Sequence, residues 1–285
     1  MSLKPILVVG AGRNGSTALM SLLGSSPLIE FDRTYPYESS YLTYFSLLAG
    51  VTVGDKEAAR DAGWRRQSLG ARNAPVVGPI PFPTGRYVGA GFDRTVMHAL
   101  WDGFSEHIRA RRRAEGAPEP LFYAEKVMLA DLEAAEAIEG LRRIHLLRDP
   151  RDVLLSTRRF NEKRGTVRFG WRPGDSDLDF ARRQAPKIRA RLEQLAPLRD
   201  EDGPQDLLLR YEDFMADPEA TAARLSRFVG TPLSLRDQLP KVAKHATSET
   251  ARSSVDRWRA ELDPEVGRFY ARELGDALEA VGYEA

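Results

Sequence analysis

The apolar run Ile6-Leu-Val-Val-Gly10 ends in a glycine-rich turn, and Thr17-Ala-Leu-Met-Ser-Leu-Leu23 behind it has the character of a helix that stops at Gly24 and Pro27. Strand, glycine turn, helix is the feature that most restricts this chain, because the pattern returns. Asp131 to Gly140 has helical spacing, Arg143-Ile-His-Leu-Leu147 reads as a buried strand, and Pro150 opens a helix through Ser156. A third unit begins with the strand Asp206-Leu-Leu-Leu-Arg210, continues through Tyr211-Glu-Asp-Phe214, and forms a helix near Ala220 to Val229. Strands alternating with helices predict an α/β fold, a parallel sheet covered on both faces with ligands at the carboxyl ends of the strands. The 285 residues hold no obvious linker, so a single domain over residues 1–285 is expected. Val76 to Gly91, with Pro79, Pro81 and Pro83, reads as a long loop, and Phe160 to Asp179 stands between loop and binding surface.

Composition removes several classes of function. Lysine and arginine number 42 against 41 aspartates and glutamates, which excludes a global charge that would attract nucleic acid or an acidic membrane; any anion site has to be local. The chain has no cysteine, hence no disulfide, thiolate metal site or cysteine nucleophile. No histidine pair or carboxylate cluster has metal-ligand spacing, so no metal is expected. Met1-Ser2-Leu3-Lys4-Pro5 leads into the first strand without a signal-peptide pattern, no apolar run has the length of a membrane span, and a cytoplasmic location is expected. Nothing in the sequence sets the oligomeric state.

Gly10-Ala-Gly-Arg13-Asn14-Gly15-Ser16-Thr17 sits where backbone N–H groups and a helix dipole cradle an anion. Three readings compete. As G-x-G-x-x-G it is a dinucleotide fingerprint, with Glu30 or Asp32 near the spacing of a ribose-binding acid. As a Walker loop it has both glycines, yet Ser16 stands where the phosphate-binding lysine belongs. The third reading moves the positive charge forward to Arg13 and lets Ser16 and Thr17 supply hydroxyls at the helix start. A plain glycine turn packing helix on strand stands beside all three.

A second motif follows the strand that ends at Leu147. Arg148-Asp-Pro-Arg-Asp152-Val-Leu-Leu-Ser156 leaves the sheet edge through a turn and enters a helix, and Ser156, eight positions after Arg148, can fold back toward the same anion. A guanidinium fork with a hydroxyl suits a phosphate monoester. The alternative is a set of surface ion pairs among Arg148, Asp149, Arg151 and Asp152.

Together the two motifs resemble those of the sulfotransferases that use PAPS (3'-phosphoadenosine 5'-phosphosulfate). The first is similar to their 5'-phosphosulfate loop, a basic residue, any residue, glycine and two hydroxyl residues; the second is similar to their 3'-phosphate motif, R-D-P-R-D-V-x-x-S. Tyr211-Glu212-Asp213 resembles the family's Y-E-D segment, which implies Tyr211 near the adenine. Arg252-Ser-Ser-Val-Asp256-Arg-Trp258 resembles the closing donor-binding loop, with Arg252 toward the 3'-phosphate and Ser253 and Asp256 at positions where cytosolic members have glycine. The resemblance is loosest from Thr34 to Leu121, the stretch expected to carry the acceptor side and lid.

What the resemblance implies is an α/β three-layer sandwich like that of the P-loop nucleoside triphosphate hydrolases, binding PAPS as donor and PAP (the same nucleotide without the sulfuryl group) as product. The donor would be held by Arg13, Asn14, Gly15, Ser16, Thr17, Arg148, Ser156, Tyr211 and Arg252. Sulfuryl transfer needs positive charge at the leaving phosphate and a base for the acceptor proton. Arg13 and Lys126 are the candidate cations, and Lys126 has an ion pair with Glu125 as its ordinary alternative. Glu38 is the candidate base, with His98 second. The acceptor is a small molecule, a glycan or another hydroxyl or amine compound. The rival assignments are a P-loop kinase, which the missing Walker lysine opposes, and a PAP-binding protein without turnover.

Overall fold

The computed structural model describes residues 1–53, 91–127, 136, 138–200, 202–237 and 254–285. The expected loop from Val76 lies outside the described residues except for Gly91, as do Arg252 and most of the helical stretch from Asp131.

In chain order the elements are β1 (Lys4–Val9), α1 (Ser16–Leu23), β2 (Ile29–Glu30), α2 (Tyr41–Thr52), α3 (Phe92–Ala114), β3 (Phe122–Val127), β4 (Arg142–Leu147), α4 (Pro150–Arg164), α5 (Asp177–Leu195), β5 (Asp206–Arg210), α6 (Tyr211–Ala216), α7 (Pro218–Val229), α8 (Trp258–Glu261) and α9 (Pro264–Ala280). The strands form one sheet in the order β2-β3-β1-β4-β5. β2 with β3 and β4 with β5 are parallel pairs, as strand-helix alternation requires. Register then does something the sequence pattern does not show. Leu147 lies opposite Arg210, so β4 and β5 end level and the next residues, Arg148 and Tyr211, leave the same edge.

The chain divides into two compact units, Met1–Leu7 with Pro27–Arg142, and Val8–Ser26 with Arg143–Ala285. In the first, α2 packs on α3 around an aromatic cluster in which Phe104 meets Trp101, Tyr41 and Tyr123 at centroid distances of 5.6, 5.1 and 5.1 Å. Trp101 is fully buried, and its Nε1–H donates to the Leu3 carbonyl at 2.7 Å, so the indole is buried without an unmet donor. In the second unit, Leu154, Leu155, Phe180, Leu192, Tyr270 and Leu274 form the core between α4, α5 and α9.

The helix opened by Pro150 runs to Arg164, well beyond the expected Ser156, and Gly165 ends it at φ 60°. The interval to Asp179 is therefore a helix end, a short loop and a new start. Ser176 and Asp179 form a reciprocal capping box that begins α5, which the sequence reading left unassigned. The charged run Arg158-Arg-Phe-Asn-Glu-Lys-Arg164 hides the helical period because only Phe160 and Asn161 turn inward.

Candidate functional site

The first loop joins β1 to α1 through two left-handed residues, Arg13 at φ 70° and Gly15 at φ 96°. A side chain at Gly15 is impossible for a second reason. A Cβ there would stand 2.3 Å from the Tyr211 ring, and one on Gly12 would stand 2.4 Å from the Phe169 ring. Asn14 is buried; its Nδ2 donates to the Leu146 carbonyl at 2.9 Å and its Oδ1 accepts from Ser16 N–H at 3.3 Å. Its side chain thus ties the loop to β4 and the start of α1. Ser16 and Thr17 open the helix, where its positive end favours an anion.

The second motif splits into two jobs. Asp149 caps α4, accepting from Arg151 N–H at 2.8 Å, and its other oxygen accepts from Arg151 Nη2 at 2.8 Å. That pair is buried, with Arg151 2% and Asp149 3% exposed, so the alternative of surface ion pairs does not hold for these two residues. Arg148 behaves differently. It is buried, its Nη1 and Nη2 donate to the Arg13 and Ser254 carbonyls at 2.9 and 2.5 Å, and its Nε has no hydrogen-bond partner among the described residues. Its guanidinium lies 4.8 Å from the Tyr211 ring centroid. Ser156, one helical face along α4, accepts from Arg13 Nε at 3.2 Å. The two motifs, 143 residues apart at this contact, meet side chain to side chain.

Asp152 is fully buried beneath them. Its Oδ1 accepts from Trp258 N–H at 2.9 Å, its Oδ2 has no hydrogen-bond partner among the described residues, and burial pushes its carboxyl up to about 6 against the pull of the Arg148 and Arg257 charges. Arg257 is itself buried, and burial lowers its pKa. Tyr211 is buried between Gly15 and Arg148, with its hydroxyl 2.8 Å from Ser254 Oγ, so its ring braces both phosphate motifs. Asp256, at a position where cytosolic members have glycine, adopts φ 55° and so takes a glycine-like backbone.

Glu38 and Lys126 belong to the first unit and sit together, Lys126 Nζ 3.6 Å from Glu38 Oε1. Lys126 also donates to the Pro36 carbonyl at 2.5 Å, and burial lowers its pKa. The alternative pairing, Lys126 with Glu125, is not among the ion pairs of the described residues. Successive residues of β3 point to opposite faces, and Glu125 is buried at the start of α2, accepting from Leu42 N–H at 2.9 Å and from Thr43 N–H and Oγ1–H at 3.1 and 3.0 Å. It replaces the cap that Ser40 does not supply. His98 is exposed on α3. Glu30, the possible ribose acid, is spent on Arg111 at 2.9 Å and Arg112 at 3.6 Å. These arginines line an open cleft of about 680 Å³ with Phe31, Tyr41, Phe104 and Tyr123.

Sequence reasoning missed Asp152, Ser254 and Arg257 as parts of this arrangement. Ser254 and Arg257 follow Arg252 closely in sequence, but only the contacts of Ser254 with Arg148 and Tyr211 show its place in the arrangement.

The family model described as the sulfotransferase family matches residues 5–235, most of the chain. The chain belongs to the sulfotransferase family. Among curated sulfotransferases, carbohydrate sulfotransferase 3 of Tetronarce californica is 26% identical over 164 residues, 51% of this chain and 36% of that protein. The alignment therefore spans about a third of the relative's length. Two solved structures of retinol dehydratase share the fold. One, in complex with androsterone and inactive cofactor PAP, is 14% identical with a TM-score of 0.51; the other, with retinol and PAP, is 16% identical with a TM-score of 0.50. Both comparisons cover 100% of this chain and 84% of the other. The expected α/β class with a central parallel sheet, like that of the P-loop nucleoside triphosphate hydrolases, is the fold observed for this sulfotransferase-family chain.

Proposed function

We propose that this member of the sulfotransferase family transfers the sulfuryl group of PAPS to a hydroxyl or amine of a small-molecule or glycan acceptor. The observation that carries the reading is the meeting of Arg13, Arg148 and Ser156 at the level edge of β4 and β5, with a buried guanidinium whose Nε still has a hydrogen bond to give. A buried donor without a partner costs about 1–3 kcal/mol, and an anionic ligand removes that cost. The residues present fit a nucleotide with phosphates at both ends. Arg148 and Ser156 hold the 3'-phosphate, while the Gly15-Ser16-Thr17 helix start holds the 5'-phosphosulfate. Arg13 stabilises charge on the leaving phosphate oxygen. Arg252 adds a further cation to the 3'-phosphate, and Tyr211 holds the two phosphate motifs in register. Acceptor oxygen or nitrogen bonds to sulfur as the sulfur–phosphate oxygen bond breaks; the acceptor proton passes to Glu38, with Lys126 holding that carboxylate, and PAP leaves. No metal enters this scheme.

Among the described residues no helix is long and apolar enough to cross a membrane. A cytoplasmic location accords with PAPS as a diffusible donor.

Calorimetric titration with PAP and with adenosine diphosphate, which lacks the 3'-phosphate, tests the donor assignment. PAP is expected to bind at least tenfold more tightly, and Arg148→Ala to remove about a hundredfold of PAP affinity while leaving adenosine diphosphate nearly unchanged. Equal binding of the two nucleotides would sink the reading. With PAPS and a reactive acceptor, Glu38→Gln is expected to keep PAP binding and lower kcat by about 10²–10⁴. Unchanged turnover would move the base elsewhere, His98 first.

A further inference from the structure

The last residues of the chain return to the turn that carries Arg148. After α9 the backbone turns at Gly282, φ 87°, where a Cβ would stand 2.8 Å from Arg210 Nη1. That close approach lets Arg210 donate to the Gly282 carbonyl and lay its guanidinium 5.3 Å from the Tyr283 ring centroid. The Tyr283 hydroxyl donates to Glu212 Oε2 at 2.7 Å, and Glu212 Oε1 accepts the Asp149 N–H at 3.0 Å. Asp149 is the residue directly after Arg148 and the cap of the helix that carries Ser156. A second strand of contacts runs in parallel. The Glu284 carbonyl accepts from Arg151 Nη2 at 2.6 Å, the Glu284 carboxylate accepts from Arg259 Nη2 at 2.6 Å, and Arg151 stacks 3.6 Å from the centroid of the Trp258 ring. Gly282 to Glu284 thus hold, through Glu212 and Arg151, both flanks of the Arg148 turn and the segment that returns Ser254 to it.

We propose that Gly282-Tyr283-Glu284 is a positioning hook for the 3'-phosphate site, with Tyr283 and Glu212 setting the backbone of the Arg148 turn. The inference rests on the donor assignment made above. Neither residue touches the nucleotide; they act through Asp149. The chemistry requires this kind of support because Arg148 is anchored by backbone carbonyls instead of a carboxylate, so the aim of its free Nε depends on where the turn and the Ser254 segment are held.

The test is the ratio of PAP to adenosine diphosphate affinity, read by calorimetry with melting temperature alongside, in wild type, Tyr283→Phe, Glu212→Ala and Glu212→Gln. Tyr283→Phe and Glu212→Ala are expected to cut the ratio about fivefold to tenfold by loosening the turn, with adenosine diphosphate affinity held. Glu212→Gln is expected to restore most of it, since an amide oxygen still accepts from Asp149 N–H. Variants that lower the melting temperature and leave the ratio at the wild-type value would overturn the hook and leave the donor assignment standing. A wild-type protein with no PAP preference would overturn the donor assignment, and the hook with it. Should Glu212→Ala fail to fold, Tyr283→Phe, which removes one hydroxyl, decides the matter alone.

Discussion

The amino and carboxyl ends of the β4–β5 pair carry charge differently. Toward the amino end, charges are matched. Arg143 forks onto Asp206 at 2.7 and 2.8 Å, His145 Nε2 lies 2.6 Å from the same carboxylate, and Arg191 Nη2 donates to His145 Nδ1 at 2.8 Å. Burial pushes the His145 pKa down, which keeps the ring neutral with Nδ1 as acceptor and Nε2–H as donor. At the carboxyl end, beside the matched pairs Asp149–Arg151 and Arg210–Asp213, Arg148 gives its hydrogen bonds to carbonyls and Asp152 has one oxygen without a partner among the described residues. Matched charge holds two strands and a helix together; the Arg148 guanidinium, held by carbonyls, is the group the proposed donor site uses. The contrast separates a histidine and arginines of the frame from the arginine of the proposed donor site, which residue type alone does not.

The comparison makes predictions of opposite sign for two aspartates. Asp206→Ala removes the acceptor shared by Arg143 and His145, and with the carboxylate a quarter exposed the expected cost is about 2 kcal/mol, below the range for fully buried pairs. Its melting temperature should fall by several degrees while the PAP to adenosine diphosphate ratio stays at the wild-type value. A change in that ratio would break the division between the two ends.

The smaller effect belongs to Asp152→Asn. The Asp152 carboxyl is raised from 3.8 to about 6 in the folded protein, so between those values the native state holds more protons than the unfolded chain. Stability from this group therefore falls as pH rises through 6, and above that pH the buried carboxylate is a net cost. Asparagine keeps an oxygen for Trp258 N–H without the charge. The variant is expected to melt above wild type at pH 8, with the difference closing as pH falls from 6 toward 4. A variant less stable than wild type at pH 8 would show that Asp152 serves the frame as Asp206 does.

Glu38 and Lys126 sharpen the same lesson in the first unit. On sequence alone the neighbouring Glu125 is an alternative partner for Lys126, yet strand alternation sends the two to opposite faces, Glu125 to the start of α2 and Lys126 to Glu38. Adjacency in a strand is a poor guide to ion pairing.

The sequence by itself determined the strand, glycine turn and helix at Gly10–Thr17, the strand leading into Arg148, and the level of Ser156 on the helix behind it. These follow from local rules of period, turn chemistry and capping that act over a few residues. It also carried the two motifs by which the family is recognised. Tertiary structure decided what local rules cannot reach. The register of β4 on β5 brings Arg148 and Tyr211 to one edge, and packing puts Tyr211 against Gly15. Burial turns Asp149 and Arg151 into a buried pair, and the return of the chain at Gly282 joins Tyr283 to Glu212. All but the Asp149–Arg151 pair link residues far apart in sequence, and the free energy of each depends on burial and on the orientation of both partners, which exist only once the sheet has formed.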